Sequence, residues 1–141
     1  VHGGLCPVCT KPLVVGVDNR VAELASRPAG YQPENPKQVT YIIPLAEIIA
    51  ELKGTKSANG KAVTAEYHEV IDRLGNEFDV LRSVPIEAIE MAGFKLLAHA
   101  IDKLRSGDVV RDPGYDGLYG TIKVFKDAEE RTAVTSQLSL L

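Results

Sequence analysis

The sequence predicts a mainly α domain with one small β-hairpin, an α+β fold. Three observations carry this. Apolar stripes recur at helical spacing through the middle of the chain. Proline and glycine punctuate those stripes where helices start and stop. One pair of β-prone runs flanks a Gly/Pro-rich loop near the C-terminus. No strand–helix alternation of the kind a parallel sheet needs is visible.

In chain order, the Gly- and Pro-rich residues 1–16 close with the short β-prone run Leu13-Val14-Val15. Asp18 suits an N-cap, since its carboxylate can accept first-turn amide protons. Val17, Val21 and Leu24 then predict a short helix over about 18–25. Pro28, Gly30, Pro33 and Pro36 make residues 26–40 an extended loop. Val39–Ile43 reads as a short strand. Pro44 suits the first position of a helix whose stripe is Leu45, Ile48, Ile49 and Leu52 and whose stop is Gly54. The polar residues 53–62 read as an exposed loop. Thr64 opens a helix with Val63, Tyr67, Val70, Ile71 and Leu74 on one face. Phe78, Leu81 and Val84 read as a turn or short extended piece. Pro85 starts a helix to about Ala92, and Phe94–Arg105 forms a longer one capped by Gly107. Val109-Val110-Arg111 and Thr121–Phe125 then make the hairpin around Asp112–Gly120.

The chain holds 16 Lys/Arg and 19 Asp/Glu, with 45% hydrophobic and 25% charged residues. That is ordinary globular composition for one principal core, which excludes a disordered or fibrous protein. No run reaches the roughly 18 apolar residues that span a bilayer, and no apolar leader is visible, so a soluble, cytoplasmic chain with no membrane partner is expected. A net charge of −3 excludes a strongly basic nucleic-acid binder but not a local basic strip. The charge is uneven: residues 1–63 carry +2 and residues 64–141 carry −5. A polyanion would therefore find the N-terminal half the better partner. Opening on Val1 rather than methionine, the chain reads as a piece of a longer protein.

Four features could carry chemistry. Cys6-Pro7-Val8-Cys9 holds both cysteines. Two thiolates separated by two residues can aim at one tetrahedral zinc, and this pair reads as half of a structural zinc knuckle, with His2 as a conceivable third ligand. A redox pair is the other reading. It is disfavoured because a redox CxxC normally opens a helix after a strand, whereas this one lies between Gly3-Gly4 and Lys11-Pro12. Zinc is preferred on the condition that a second CxxC lies upstream.

The loop Asp112–Gly120 is the second feature. Gly114 and Gly117 allow close backbone approach, Tyr115 and Tyr119 could stack on a base, and Arg111 and Lys123 could flank the loop with charge for phosphate. The plainer reading, slightly favoured on the residues alone, is a long turn whose tyrosines cover the core edge. The loop lacks the context of a phosphate-binding P-loop, so no nucleotide cofactor is expected. The histidines are third: His68 and His99 lie in predicted helices without catalytic neighbours, and no complete active site emerges. The fourth is the ending Gln137-Leu138-Ser139-Leu140-Leu141, in which Gln137 could hydrogen-bond a partner backbone while Leu138, Leu140 and Leu141 fill an apolar pocket. A frayed terminus is its plain alternative.

Taken together, CPVCTKPLVVGVDNRVAEL, the Tyr31–Pro44 loop leading into IIPLAEIIAEL, and LRSGDVVRDPGYDGLYGTIKVF resemble endonuclease Q-like PHP-domain proteins over about residues 5–125. The resemblance points to bacterial members, some of which carry a UvrD-type helicase label, although no helicase motor motif is present. It implies an N-terminal metal-dependent PHP nuclease domain, a four-cysteine zinc module and a C-terminal helical domain. Its activity would be hydrolytic cleavage of DNA beside deaminated bases such as uracil and hypoxanthine, and at abasic sites. Cys6 and Cys9 would be half of the zinc ligands. The other two, and the divalent metals of the PHP domain, would lie before Val1. On this basis residues 1–16 are the second half of a zinc-binding module, 17–126 a helical domain with the hairpin, and 127–141 a flexible tail. The piece would grip damaged DNA as an accessory region of a DNA-repair endonuclease, without catalytic residues of its own. The tail is similar to the bacterial sliding-clamp motif Gln-Leu-Ser/Asp-Leu-Phe, with Leu141 in place of the aromatic anchor. The alternative function is thus recruitment of the parent protein to the sliding clamp.

Overall fold

Among the described residues, seventeen buried apolar side chains, all from Ile43 to Phe125, form the core, and the helices around it follow from where those side chains fall. The structure, a computed structural model, describes residues 3–14, 16–114 and 118–138, and the side chains of Gln137 and Leu138 are left undescribed. The chain divides into two compact units, Val1–Val39 and Thr40–Leu141. No helix of the described residues is long and apolar enough to cross a membrane.

The first unit holds a tight turn around the cysteines and one helix, α1 (Val17–Leu24). Its N-cap is Gly16, without a side-chain cap, and Asp18 sits in the first turn instead of the capping position expected for it. A first-turn carboxylate still favours the positive end of the helix. The run Leu13–Val15 forms no strand in its described part. The only pairing in this unit's described residues is an isolated antiparallel bridge between Leu5 and Pro12.

In the second unit α2 (Leu45–Leu52), α3 (Lys61–Leu74), α4 (Glu77–Arg82), α5 (Ile86–Met91) and α6 (Lys95–Ser106) build the core. Residues 39–43 form no strand, so the expected one is absent: Ile43 is buried and Tyr41 and Ile42 are exposed. Pro44 is the N-cap of α2, one position earlier than expected. The amide of Leu45 then donates to Glu77 Oε1 at 2.7 Å, so a carboxylate from another helix caps α2. Tyr67 Oη donates to Glu77 Oε2 at 3.1 Å. Burial, then this carboxylate, pushes the Tyr67 phenol upward.

α3 begins three residues before Thr64, because Gly60 supplies an extended N-cap and Lys61 and Ala62 are good helix formers. The segment from Phe78 to Val84, expected as a turn or short extended piece, is mostly helical, as part of α4. The Asn76 side chain accepts from Asp79 N at 3.1 Å, and Glu77 and Asp79 suit the first turn. Arg105, reaching from α6, donates to the carbonyls of Val80, Leu81 and Val84 at 2.9, 3.1 and 2.7 Å, so two carbonyls in the last turn of α4 and one just beyond it gain a donor. Gly107 ends α6 in the left-handed conformation at φ 79°, as expected.

β1 (Val110–Asp112) and β2 (Thr121–Lys123) form a two-stranded antiparallel ribbon in the register Val110–Lys123, Arg111–Ile122 and Asp112–Thr121. The expected mainly helical fold with one small hairpin is thus the fold observed.

The expected flexible tail is in part a helix, α7 (Ala128–Leu138). Asp127 Oδ1 accepts from Glu130 N at 2.8 Å, and Glu130 Oε2 accepts from Lys126 N at 2.7 Å, a near-reciprocal cap. Lys103 Nζ donates to Glu130 Oε1 at 2.7 Å, and Arg131 donates to the Glu51 carbonyl at 2.5 Å. The bond to Glu130, then that to Asp108, holds the Lys103 ammonium above its ordinary value. The bonds from Lys103 and then Lys126 hold the Glu130 carboxyl below its own.

Candidate nucleic-acid interface

All six strand residues of the ribbon are exposed. A two-stranded ribbon with two wet faces is marginal by itself. This one is anchored at its base: Glu51, the penultimate residue of α2, accepts from the amides of Val124 and Phe125 at 2.9 and 2.7 Å, and both of those side chains are buried. The ribbon is therefore a projection fixed to the helical core.

Directly opposed residues share a face of an antiparallel pair. Arg111 and Ile122 are on one face, and Val110, Asp112, Thr121 and Lys123 on the other. Arg111 and Lys123, expected to flank the loop together, emerge on opposite faces. The Arg111 guanidinium lies 5.9 Å from the Tyr41 ring centroid, within cation–π range. Tyr41 is 76% exposed and Tyr119 is 95% exposed, so Tyr119 does not cover the core edge. Aromatic and cationic groups this open to solvent can stack on bases and meet phosphate.

The loop glycines have a requirement of their own. A Cβ on Gly114 would overlap the Leu118 carbonyl oxygen and the Gly120 nitrogen, and one on Gly120 would lie 2.8 Å from the Asp112 oxygen. The loop crosses itself so closely that only glycine fits at either point. Tyr115 and Gly117 lie outside the described residues.

At the other end of the chain the cysteines occupy the turn of a miniature hairpin. Cys6 N donates to Lys11 O and Thr10 N to Cys6 O, each at 2.9 Å, and Leu13 N donates to Gly4 O at 2.8 Å. Gly3, Gly4 and Thr10 take positive φ. The backbone amides of Cys9 and Val8, followed by the Cys9 side chain, hydrogen-bond Cys6 and hold its thiol below the ordinary value. Amides aimed at sulfur in a tight turn favour the thiolate, the form that binds metal. The pair thus fits half of a tetrahedral thiolate site. No third His, Cys, Asp or Glu joins it among the described residues, and His2 lies outside them.

His99 stacks on Phe125 with centroids 6.0 Å apart, and His68 meets Tyr67 edge-on at 5.7 Å. Gln137 and Leu138 fall at the end of α7, while Leu140 and Leu141 lie outside the described residues. Sequence reasoning missed Tyr41 and Glu51. Tyr41 is brought to Arg111 from 70 positions away, and only the tertiary fold aims the Glu51 carboxylate at the ribbon's base.

The fold and site define a helical α+β unit that presents a cationic and aromatic ribbon, and a separate N-terminal unit with two cysteines in a tight turn. Residues 44–108, from Pro44 through α6, match the family described as MJ0043 C-terminal domain. Over 117 residues the chain is 34% identical to the uncharacterized protein MJ0043 of Methanocaldococcus jannaschii, covering 83% of this chain and 14% of that protein. It is similar to the lesion-specific endonuclease PfuEndoQ from Pyrococcus furiosus, with a TM-score of 0.70 and 30% identity over 92% of this chain and 33% of that one. It is also similar to endonuclease Q in complex with a 27-mer duplex substrate bearing an abasic lesion at the active site, with a TM-score of 0.66 and 32% identity over 87% of this chain and 30% of that one. The chain therefore spans a third or less of the relatives it matches, and these likenesses support an endonuclease Q-like relationship.

Proposed function

We propose that this chain is the DNA-gripping accessory region of a DNA-repair endonuclease acting on abasic or deaminated-base DNA. Catalysis is assigned to a metal-dependent PHP domain outside these 141 residues. The likeness to endonuclease Q held on an abasic duplex, at 32% identity over 87% of the chain, carries the reading. The anchored ribbon supports it, because Arg111 and Tyr119, with Tyr41 beside Arg111, supply charge and stacking surface. In this reading Cys6 and Cys9 hold half of a structural zinc site completed by two upstream thiolates, and zinc supplies a cross-link and no step of the reaction.

The test is fluorescence anisotropy of a labelled duplex with one abasic site. The chain should bind with strong salt dependence. Replacing Arg111 and Tyr119 together by alanine should weaken binding about tenfold or more, since base–aromatic stacking alone is worth about 1–3 kcal/mol. Unchanged affinity would remove the ribbon from the interface.

A further inference from the structure

Beside the ribbon lies a groove of about 670 Å³, walled by α2, the loop after it, β2 and the start of α7. Its size falls in the range of about 300–1,000 Å³ typical of ligand sites. Three lysines line it from three different segments: Lys56 from the loop after α2, Lys123 from β2 and Lys126 from the turn before α7. All three are exposed, and none makes an ion pair among the described residues.

The acids of the same wall are mostly committed elsewhere. Both Glu51 oxygens accept backbone amides, and Asp127 caps Glu130. Glu47 is the one wall acid without a side-chain bond among the described residues. Arg131 adds a fourth cation, bonded to the Glu51 carbonyl and packed 3.1 Å from where a Cβ on Gly54 would stand. Gly54 and Gly120 keep two stretches of wall free of side chains. The result is a concave surface on which four cations, three of them lysines in no ion pair among the described residues, meet three carboxylates. A concave wall with a net positive charge concentrates counter-charge more than lysines scattered over the surface do.

We infer that this groove seats a phosphodiester segment of a nucleic-acid strand, with Lys56, Lys123 and Lys126 as its phosphate contacts. The inference rests on the reading of the chain as a DNA-gripping region and divides the labour of the ribbon. The Arg111 face meets bases, and the opposite face, through Lys123, meets backbone.

The experiment measures binding of an abasic duplex, an intact duplex and a single strand by the 141-residue chain across a salt series. The variants are Lys56→Gln/Lys123→Gln/Lys126→Gln and the matching triple arginine substitution, with circular dichroism confirming helix content. Each lost phosphate contact should lower the slope of log K against log salt by about 0.9 on duplex and 0.7 on single strand. The glutamine triple should therefore lose about two to three units of slope and at least tenfold in affinity, and the arginine triple should restore both. Loss confined to duplexes assigns the phosphodiester to paired DNA, and loss shared with the single strand assigns it to one strand. A wild-type slope in the glutamine triple, with wild-type binding intact, overturns the groove and leaves the proposed function standing. Absence of any binding by the unsubstituted chain overturns both.

Discussion

The two units of this chain differ in what holds them. Thr40–Leu141 closes on a core in which Leu45, Ile48, Ile49, Val70, Ile89 and Ile101 have no exposed surface. In Val1–Val39 no described residue is buried, and Val17, Val21 and Leu24 present an apolar stripe of α1 to solvent. Below about 40 residues a chain seldom buries enough surface to offset its conformational entropy without a staple or a partner. The helical unit is thus self-sufficient. The N-terminal unit is organised by short-range hydrogen bonds around Cys6 and Cys9, where a metal would act.

Core truncation is the strongest way to break this comparison. Ile101→Ala should cost about 2–5 kcal/mol, the usual range for a fully buried aliphatic side chain. In a unit of this size that lowers Tm by roughly ten degrees or more. Val21→Ala, on the exposed face of α1, should leave Tm within error. Thermal unfolding followed by circular dichroism reads both. A comparable loss from Val21→Ala would show that the N-terminal unit has a core contribution of its own.

A second substitution sharpens the contrast inside the helical unit. Glu51→Ala removes both acceptors at the base of the ribbon and leaves the amides of Val124 and Phe125 without partners. Each orphaned donor costs about 1–3 kcal/mol. Stability should fall by about 2 kcal/mol, because water can reach part of the site. Amide exchange should accelerate most at Val124, Phe125 and the ribbon, and little in α6. Uniform acceleration throughout the unit would mean that the ribbon is not separately anchored.

The sequence made the helical unit legible wherever local and tertiary signals agree. Pro44, Gly54, Pro85 and Gly107 stand at helix ends, and Leu45, Ile48 and Ile49 of the expected α2 stripe are buried. It failed where a single level of signal decided the outcome. α4 follows from the Asn76 cap and its first-turn acids, a local signal masked by the wide spacing of Phe78, Leu81 and Val84. α7 has no apolar stripe and is held by Glu130 and Arg131 reaching α6 and α2, contacts invisible in sequence, although Asp127-x-x-Glu130 is a capping signature that marks its start. Arg111, Tyr119 and Lys123 were readable as residue types. The division of Arg111 and Lys123 between two faces was not, because it depends on ribbon register, and a one-residue slip reverses it.

The smallest expected effect falls on the other side of the comparison. Replacing Cys6 and Cys9 together by serine removes both thiols from a unit with no buried residue among those described. Serine keeps the size of the side chain, and the backbone bonds of the turn do not depend on sulfur. The main thermal transition, which reports the helical unit, should therefore move by less than about one degree, well inside the effect of about 0.5 kcal/mol typical of surface changes. Zinc uptake measured by atomic emission should fall to background, since serine hydroxyls do not replace thiolates at neutral pH. A transition that drops by several degrees in the zinc-loaded protein and not in the chelator-treated protein would instead couple the cysteine turn to the helical core, and the independence of the two units would be lost.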